Sequence, residues 1–454
     1  MGSQTALPFQ SVPGSRMGEN GQGSEFRDPA FMENRGVRVH RWVPWIAGFS
    51  SQFVDDVLRD FLPAKPPHRP LILDPFAGVG TTLIQAVLHG YDAVGFEINP
   101  YAVLAARTKL AAASLDLRDL DALIQQVETA PTTLKGNPAT VHHRPAGFRS
   151  RIPFFSERVE PQVLRLLDLV NGISKALIAD LAKMAFGSVM VQVSNYTYEP
   201  SLGTRPGAGK PLVEFADVPA VFAAKLRQIR EDIAWLKDRV PAGFAGLRRE
   251  VQCADFLSMN GQVHEGSVDL MVTSPPYMNN YHYVRNTRPQ LFWLSLVSRS
   301  RDLRRLEESN FGKYWQTVRD SNPIPLRCDH QGLARTVAAL RRTRVTHGAY
   351  GGPGWANYVT SYFNDADRFM AVLQPALRPG GVGVLVIGNS IIQGIHIPTD
   401  QILGDLAQAH GLVLEKIVVL RTKRVGTSIT GSSVRRGKKN GTTLYDAAVV
   451  VRKR

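Results

Sequence analysis

Two glycines and three carboxylates, placed where apolar runs end, carry the first chemical signal in this sequence. Gly78 and Gly80 sit in DPFAGVGTT (74–82), after the apolar run PLIL and before the helical stretch TTLIQAVLHG. They let the backbone turn sharply and approach a ligand closely, at the carboxyl end of a strand where open α/β sheets bind ligands. No Gly-Lys-Ser/Thr follows and the third glycine of G-x-G-x-x-G is missing, so this is not a phosphate-binding Walker loop. Glu97 in VGFEIN ends the next apolar run, about 20 residues on, where a carboxylate can accept both hydroxyls of a ribose. Asp255 in CADF ends another, placed to accept from an adenine amino group with Phe256 against the adenine face. Asp74, Glu97 and Asp255 thus fall at three strand ends, and a nucleoside-bearing cofactor is the ligand they suit.

The elements needed to bring these residues together are legible as an alternation. From Pro70 the pattern runs strand (PLILD), helix (TTLIQAVLHG, closed by Gly90), strand (YDAVGFEIN) and helix (PYAVLAARTKLAAASL, with Pro100 in its first turn). Strand-helix alternation predicts a parallel sheet covered by helices. Residues 111–249 interrupt it with helical patterns such as VPAVFAAKLRQIREDIAWLKDRV and a loop, SNYTYEPSLGTRPGAGKP. The alternation resumes with REVQCADF, SVDLMVTSPPY, the helix YVTSYFNDADRFMAVLQPAL, the strand VGVLVIGN and the helix TDQILGDLAQAHG. The last two runs, LEKIVVLRT and YDAAVVVRK, read as an antiparallel hairpin closing the sheet. The predicted organisation is a disordered Gly/Ser-rich leader over 1–35, a first core part over 36–110, a helical insertion over 111–249 as a candidate recognition region, and a second core part over 250–454.

Charge narrows the partner. The chain carries a formal +15, concentrated in two stretches: residues 278–350 hold 13 Arg and Lys against 5 Asp and Glu, and residues 421–454 hold 10 against 1. Such concentration suits a polyanion, because each neutralised phosphate releases condensed counterions. Arg285, Arg288, Arg341, Arg342 and Arg344 are candidate phosphate or base contacts, and the basic loop Arg435, Arg436, Lys438 and Lys439 suits phosphates. With only Cys253 and Cys328, neither a disulfide framework nor a cysteine-built zinc site can form, and no metal is expected. No apolar run reaches the roughly 18 residues that span a bilayer, so the expectation is a cytoplasmic, nucleoid-associated protein with no membrane partner.

With these stretches in view, the sequence resembles the S-adenosylmethionine-dependent amino-methyltransferases of DNA. DPFAGVGTT resembles their cofactor loop, GFEINP their ribose segment, CADF their adenine segment, and TSPPY (273–277) their catalytic tetrapeptide with its preceding threonine. HRWVPWIAGFSSQFVDDVL (40–58) is similar to the segment that closes over the methionine end of the cofactor. The resemblance implies a Rossmann-like, mostly parallel seven-stranded sheet with a C-terminal antiparallel hairpin. It also implies cofactor contacts from Phe49, Ser50, Asp74, Pro75, Phe76, Ala77, Gly78, Gly80, Thr81, Thr82, Glu97, Ile98, Asp255 and Phe256.

The tetrapeptide explains why an apolar strand stops so abruptly. An exocyclic amino group is a poor nucleophile because its lone pair is delocalised into the ring, so a site must draw the nitrogen toward tetrahedral geometry. The Ser274 hydroxyl and the Pro275 carbonyl can each accept an amino proton, Pro275 and Pro276 fix φ and remove competing N–H groups, and Tyr277 offers a face to a flipped base. A serine in the first position implies cytosine N4 within the family, with adenine N6 the alternative; an RNA amino group and a fold retained for binding alone are further alternatives. Carbon-5 chemistry is set aside, since it needs a thiolate, usually after proline, and Cys253 and Cys328 follow Gln252 and Arg327. The chain departs from the family at His282, where an acidic residue is common; His282 is a candidate DNA contact or a neutral filler of that slot. A cognate restriction endonuclease is the partner such an enzyme would have, while recognition sequence and oligomeric state have no signature here.

Overall fold

A computed structural model describes residues 26–45, 48–129, 143–198, 201–258, 263–278, 282–343, 352–423 and 443–454. Its centre is a seven-stranded sheet built from β1 (Leu71–Asp74), β2 (Asp92–Phe96), β5 (Arg249–Gln252), β6 (Val268–Thr273), β7 (Leu377–Gly388), β10 (Leu412–Lys423) and β11 (Leu444–Lys453). Two small hairpins, β3 (Tyr196–Tyr198) with β4 (Leu202–Thr204) and β8 (Ser390–Ile392) with β9 (Ile395–Ile397), lie outside it. The order across the sheet is β10-β11-β7-β6-β1-β2-β5. β7, β6, β1, β2 and β5 are mutually parallel, and β11 runs antiparallel to both β7 and β10. The expected parallel sheet with a C-terminal antiparallel hairpin is therefore present.

Sequence accounts for the layering. Adjacent residues on one strand go to opposite cores: Ile72, Leu270, Val272, Val384 and Val450 join one cluster, while Leu73, Met271, Leu385 and Val451 join the other. Both faces are covered, which is why these strands read as unbroken apolar runs instead of alternating ones. On one face lie the helices Ser51–Phe61, Thr81–Leu88 and Pro100–Ala111 together with the insertion; on the other lie Gly352–Ala376 and Thr399–Ala409.

The insertion is helical, with Leu117–Thr129, Glu160–Asn171, Ala176–Val189 and Val218–Lys237, but SNYTYEPSLGT holds the β3–β4 hairpin where a loop was expected. After TSPPY (273–277) come short helices, Tyr283–Asn286, Arg288–Trp293, Ser300–Glu308, Trp315–Val318 and Gln331–Arg342. The disordered leader needs correction at its end. Residues 26–35 belong to the folded body: Phe26 packs on Phe53 and Phe61, Arg27 pairs with Asp56, and buried Asn34 donates to the Phe49 carbonyl and accepts from Ser51 N–H. The stretch FRDPAFMENR has too few apolar residues at a regular spacing to reveal this. Residues 1–25 lie outside the described residues.

Candidate active site

The carboxyl edge of β1, β2, β5 and β6 opens into one cleft of about 900 Å³, its open mouth included. Asp74, Pro75, Phe76, Ala77, Gly78 and Thr81 from the glycine loop line it, with Glu97 and Ile98 from the end of β2 and Asp255 and Phe256 after β5. Phe49 borders it from the N-terminal segment, and Ser274 and Pro276 reach it from the end of β6. Residues 225 positions apart in the chain, Phe49 and Ser274, thus face one space.

Each carboxylate is held by the backbone around it. Glu97 Oε2 accepts from Gly78 N–H (2.9 Å) and Oε1 from Asn99 N–H (2.7 Å), so the ribose segment and the glycine loop are stitched together by the group expected to bind the ligand. Burial raises its pKa to about 7, against the lowering effect of those N–H groups. Asp74, almost wholly buried, has its pKa raised by burial to about 6, partly offset by hydrogen bonds from the Thr273 hydroxyl and Phe76 N–H. Asp255 accepts from Leu257 N–H at 3.0 Å, fixing the turn that presents it. Gly78, at φ +49, is needed for its conformation and for space, since a Cβ there would lie 3.2 Å from the Trp45 Nε1.

Not every expected contact faces the cleft. Ser50 caps the helix Ser51–Phe61, accepting from Phe53 N–H and donating to the Asp28 carbonyl. Gly80 starts the helix Thr81–Leu88 at φ +86 and lets it pack on Ala106, whose Cβ would be 3.0 Å from a Cβ at position 80. Thr82, fully buried, donates to the Val272 carbonyl. These three shape the loop and are not among the lining residues; their types alone could not separate the two roles. Pro275 and Tyr277 are also not among the lining residues. Tyr277, half-buried, hydrogen-bonds Ser274 through its side chain, and burial pushes its phenol well above the ordinary range.

The cleft also uses residues that the motifs did not reveal: Trp45, Asn99, Tyr283, Val284, Ser309, Asn310 and Phe311. Trp45 stacks on Tyr283 with centroids 6.3 Å apart, closing the N-terminal segment onto the chain just past the tetrapeptide. Phe311 meets Phe76 edge-on at 5.2 Å. Asn99 caps its helix with one end and donates to Thr287 Oγ1 at 2.7 Å with the other. The only hint was the aromatic content of HRWVPWIAGFSS; Tyr283 and Phe311 lie in stretches without a motif.

The nucleic-acid candidates divide. Arg285 is exposed on the helix just after the tetrapeptide. Arg288 is half-buried, its guanidinium 5.6 Å from the Phe148 ring centre, with its pKa lowered by burial. His282 stacks on Tyr314 at 4.2 Å, and burial, aided by Arg285, lowers its pKa. Arg341 is exposed but donates to the Ile324 carbonyl. Arg344, Arg435, Arg436, Lys438 and Lys439 lie outside the described residues. Among the described residues there is no group of three His, Cys, Asp or Glu able to hold a metal, and no helix long and apolar enough to cross a membrane.

The chain is similar over most of its length to the Type II methyltransferase M.BsoBI of Geobacillus stearothermophilus, 24% identical, with 88% of this chain and 83% of that one covered. It is likewise similar to the Type II methyltransferase M.AvaI of Nostoc sp. (21% identical, 88% and 84% covered) and to M.MvaI of Kocuria varians (20% identical, 82% of each). Among solved structures, the rRNA methyltransferase aviRa from Streptomyces viridochromogenes aligns over 90% of this chain and 87% of its own, with 11% identity and a TM-score of 0.28. No protein-family model matches the chain.

Proposed function

We propose that the protein is a site-specific DNA methyltransferase that moves a methyl group from S-adenosylmethionine to the N4 amino group of a cytosine flipped out of the duplex. One observation carries this reading: Ser274 and Pro276 form a wall of the same cleft that Gly78, Glu97 and Asp255 line. The likeness to Type II methyltransferases over most of the chain, and the positive charge of residues 278–350, support DNA as the substrate.

The residues present fit the cofactor. Glu97 uses one lone pair of each oxygen on backbone N–H groups, and each oxygen retains another for a ribose hydroxyl. Asp255 and the rings of Phe76, Phe256 and Phe311 would hold the adenine, and Trp45 with Phe49 the amino-acid end. When bound, S-adenosylmethionine supplies an electrophilic methyl group. The protein's task is then orientation and electrostatics: Ser274 Oγ and the Pro275 carbonyl accept the two amino protons and draw the nitrogen toward tetrahedral geometry, which takes its lone pair out of conjugation with the ring. A hydroxyl has two acceptor lone pairs, so the bond between Ser274 and Tyr277 leaves room for the base. The amino proton is released during or after attack, and no covalent enzyme intermediate is needed.

The test is incubation with methyl-labelled S-adenosylmethionine and mixed-sequence duplex DNA, followed by identification of the labelled nucleoside. N4-methylcytosine is expected; N6-methyladenine overturns the base assignment, label on RNA alone the substrate, and absence of transfer with intact cofactor binding the enzymatic reading itself.

A further inference from the structure

We propose that Arg421, held by Asp446, reads the target base by donating to the ring carbonyl of a cytosine seated against Tyr277. This rests on the reading above and deepens it, because Ser274 and Pro275 recognise only an amino group, which cytosine and adenine share.

The geometry is a row across three strands at the carboxyl end of β7. Gly388, last in β7 and three residues beyond the Leu385 that pairs with Thr273 of β6, pairs with Asp446 on β11, and Asp446 pairs with Arg421 on β10. Tyr277 lies back over this row. A Cβ on Gly388 would be 3.2 Å from Cδ2 and Cε2 of Tyr277 and 3.0 Å from Asp446 Oδ1, so ring and carboxylate meet over a position where a side chain would crowd both. The loop is pinned just beyond, where Ser390 donates to the Met278 carbonyl at 3.2 Å.

Asp446 is 1% exposed and its Oδ2 accepts Nε–H of Arg421 at 2.8 Å, which fixes the plane of the guanidinium. Arg421 itself is half-exposed, and its Nη1 lies 3.9 Å from Asp28 Oδ1, beyond hydrogen-bond range. The Arg421 charge is close enough to the Tyr277 phenol to oppose part of the rise that burial imposes on it. A guanidinium has five N–H donors and no acceptor. Beside its amino group cytosine presents N3 and then the O2 carbonyl, two acceptors in line, whereas adenine presents N1 and then a C–H. A fixed fork of donors at this place favours cytosine.

The experiment uses the full-length protein, methyl-labelled S-adenosylmethionine, and duplex DNA prepared with either cytosine or 2-thiocytosine, whose sulfur is a poorer acceptor than O2. Wild type is expected to lose about tenfold in turnover on the thio duplex. Arg421→Ala is expected to be slower by about tenfold or more on ordinary DNA and to show no further thio loss, with cofactor affinity within about twofold of wild type. A merely structural role would slow both duplexes equally. If Arg421→Ala fails to bind cofactor, Arg421→Lys is read the same way, with a thio effect smaller than that of wild type expected. An equal thio effect in variant and wild type, or none in wild type, overturns the inference. Methyl found on adenine N6 overturns it while leaving a methyltransferase; no transfer to any DNA removes the reading beneath it.

Discussion

Thr273 donates its hydroxyl to Asp74 Oδ1 across 2.6 Å, joining the last residue of the strand that delivers Ser274 to the first acid of the glycine loop. Both side chains are buried, so the bond links the two halves of the site where water cannot substitute for either partner. Thr273→Val keeps the shape and removes the donor. It is expected to cost about 1–3 kcal/mol in urea unfolding, and to raise the pH at which Asp74 titrates, read by carboxyl NMR. An unchanged unfolding midpoint would separate the two halves energetically.

The raised acids set a pH dependence. Asp74 and Glu97 have folded pKa values of about 6 and about 7, above their ordinary values of 3.8 and 4.5. The folded state therefore binds more protons than the unfolded one between those limits, and stability contributed by these groups is greatest at low pH and is lost as pH rises toward 7. Ligand binding should run the other way, because an ionised Glu97 accepts more strongly from ribose hydroxyls. Affinity for S-adenosylmethionine, measured by calorimetry, is expected to rise from pH 6 to pH 8 in wild type and to stay flat in Glu97→Gln.

The sheet was legible because most of its strands carry apolar runs and are followed by glycines, prolines or acids, although β5 (REVQ) is a polar exception, and because β10 and β11 share a β-branched composition that needs no partner to recognise. The glycine loop and the turn after β6 were legible for a related reason: TSPPY and DPFAGVGTT are local, and their backbone demands are written in adjacent residues. What the sequence hid is side-chain direction. Thr81 faces the cleft while Thr82 turns into the core, and nothing in TTLIQAVL distinguishes them. Trp45, Tyr283 and Phe311 meet only through tertiary packing. The same holds for Asp446, a lone acid in an apolar strand whose role depends on Gly388, 58 positions away, and on Arg421 beside it.

Asp232 in the helix Val218–Lys237 ties the insertion to the segment bearing Trp45. Fully buried, it accepts from Val39 N–H and Trp42 Nε1–H at 3.0 Å each and from two Arg41 nitrogens, the shorter at 2.6 Å. Val39 is at φ +66, a strained conformation for a β-branched residue that persists only where surroundings over-determine it. Asp232→Ala is expected to cost about 3–5 kcal/mol, since a partly buried guanidinium and two N–H groups lose their acceptor. Cofactor affinity should fall with it as the Trp45 segment loosens, measured on the protein that stays folded. A normal melting temperature in this variant would show the segment to be anchored elsewhere.

Ser274→Ala and Asp255→Ala should leave opposite kinetic signatures, and the contrast tests the division of labour within the cleft. Ser274 meets the cleft at the end of β6 and shares a bond with Tyr277, whereas Asp255 lies at the end of β5, with β6, β1 and β2 preceding β5 in the sheet. If Ser274 accepts an amino proton as charge develops on nitrogen, its bond is stronger in the transition state than before it. Removing it then lowers turnover by about 10²-fold and leaves cofactor affinity nearly constant. Asp255 would contact an adenine amino group that does not change during the reaction, so its bond is equally strong throughout; Asp255→Ala should weaken cofactor binding by about tenfold and leave turnover at saturation little altered. Tyr277→Phe falls between, keeping the ring over Gly388 but freeing the Ser274 hydroxyl to rotate, with a loss smaller than that of Ser274→Ala. Equilibrium binding and single-turnover methylation measured on the same preparations read both quantities. If both variants lost affinity alone, Ser274 would belong to the cofactor site and the acceptor clamp would have to be sought elsewhere in the cleft.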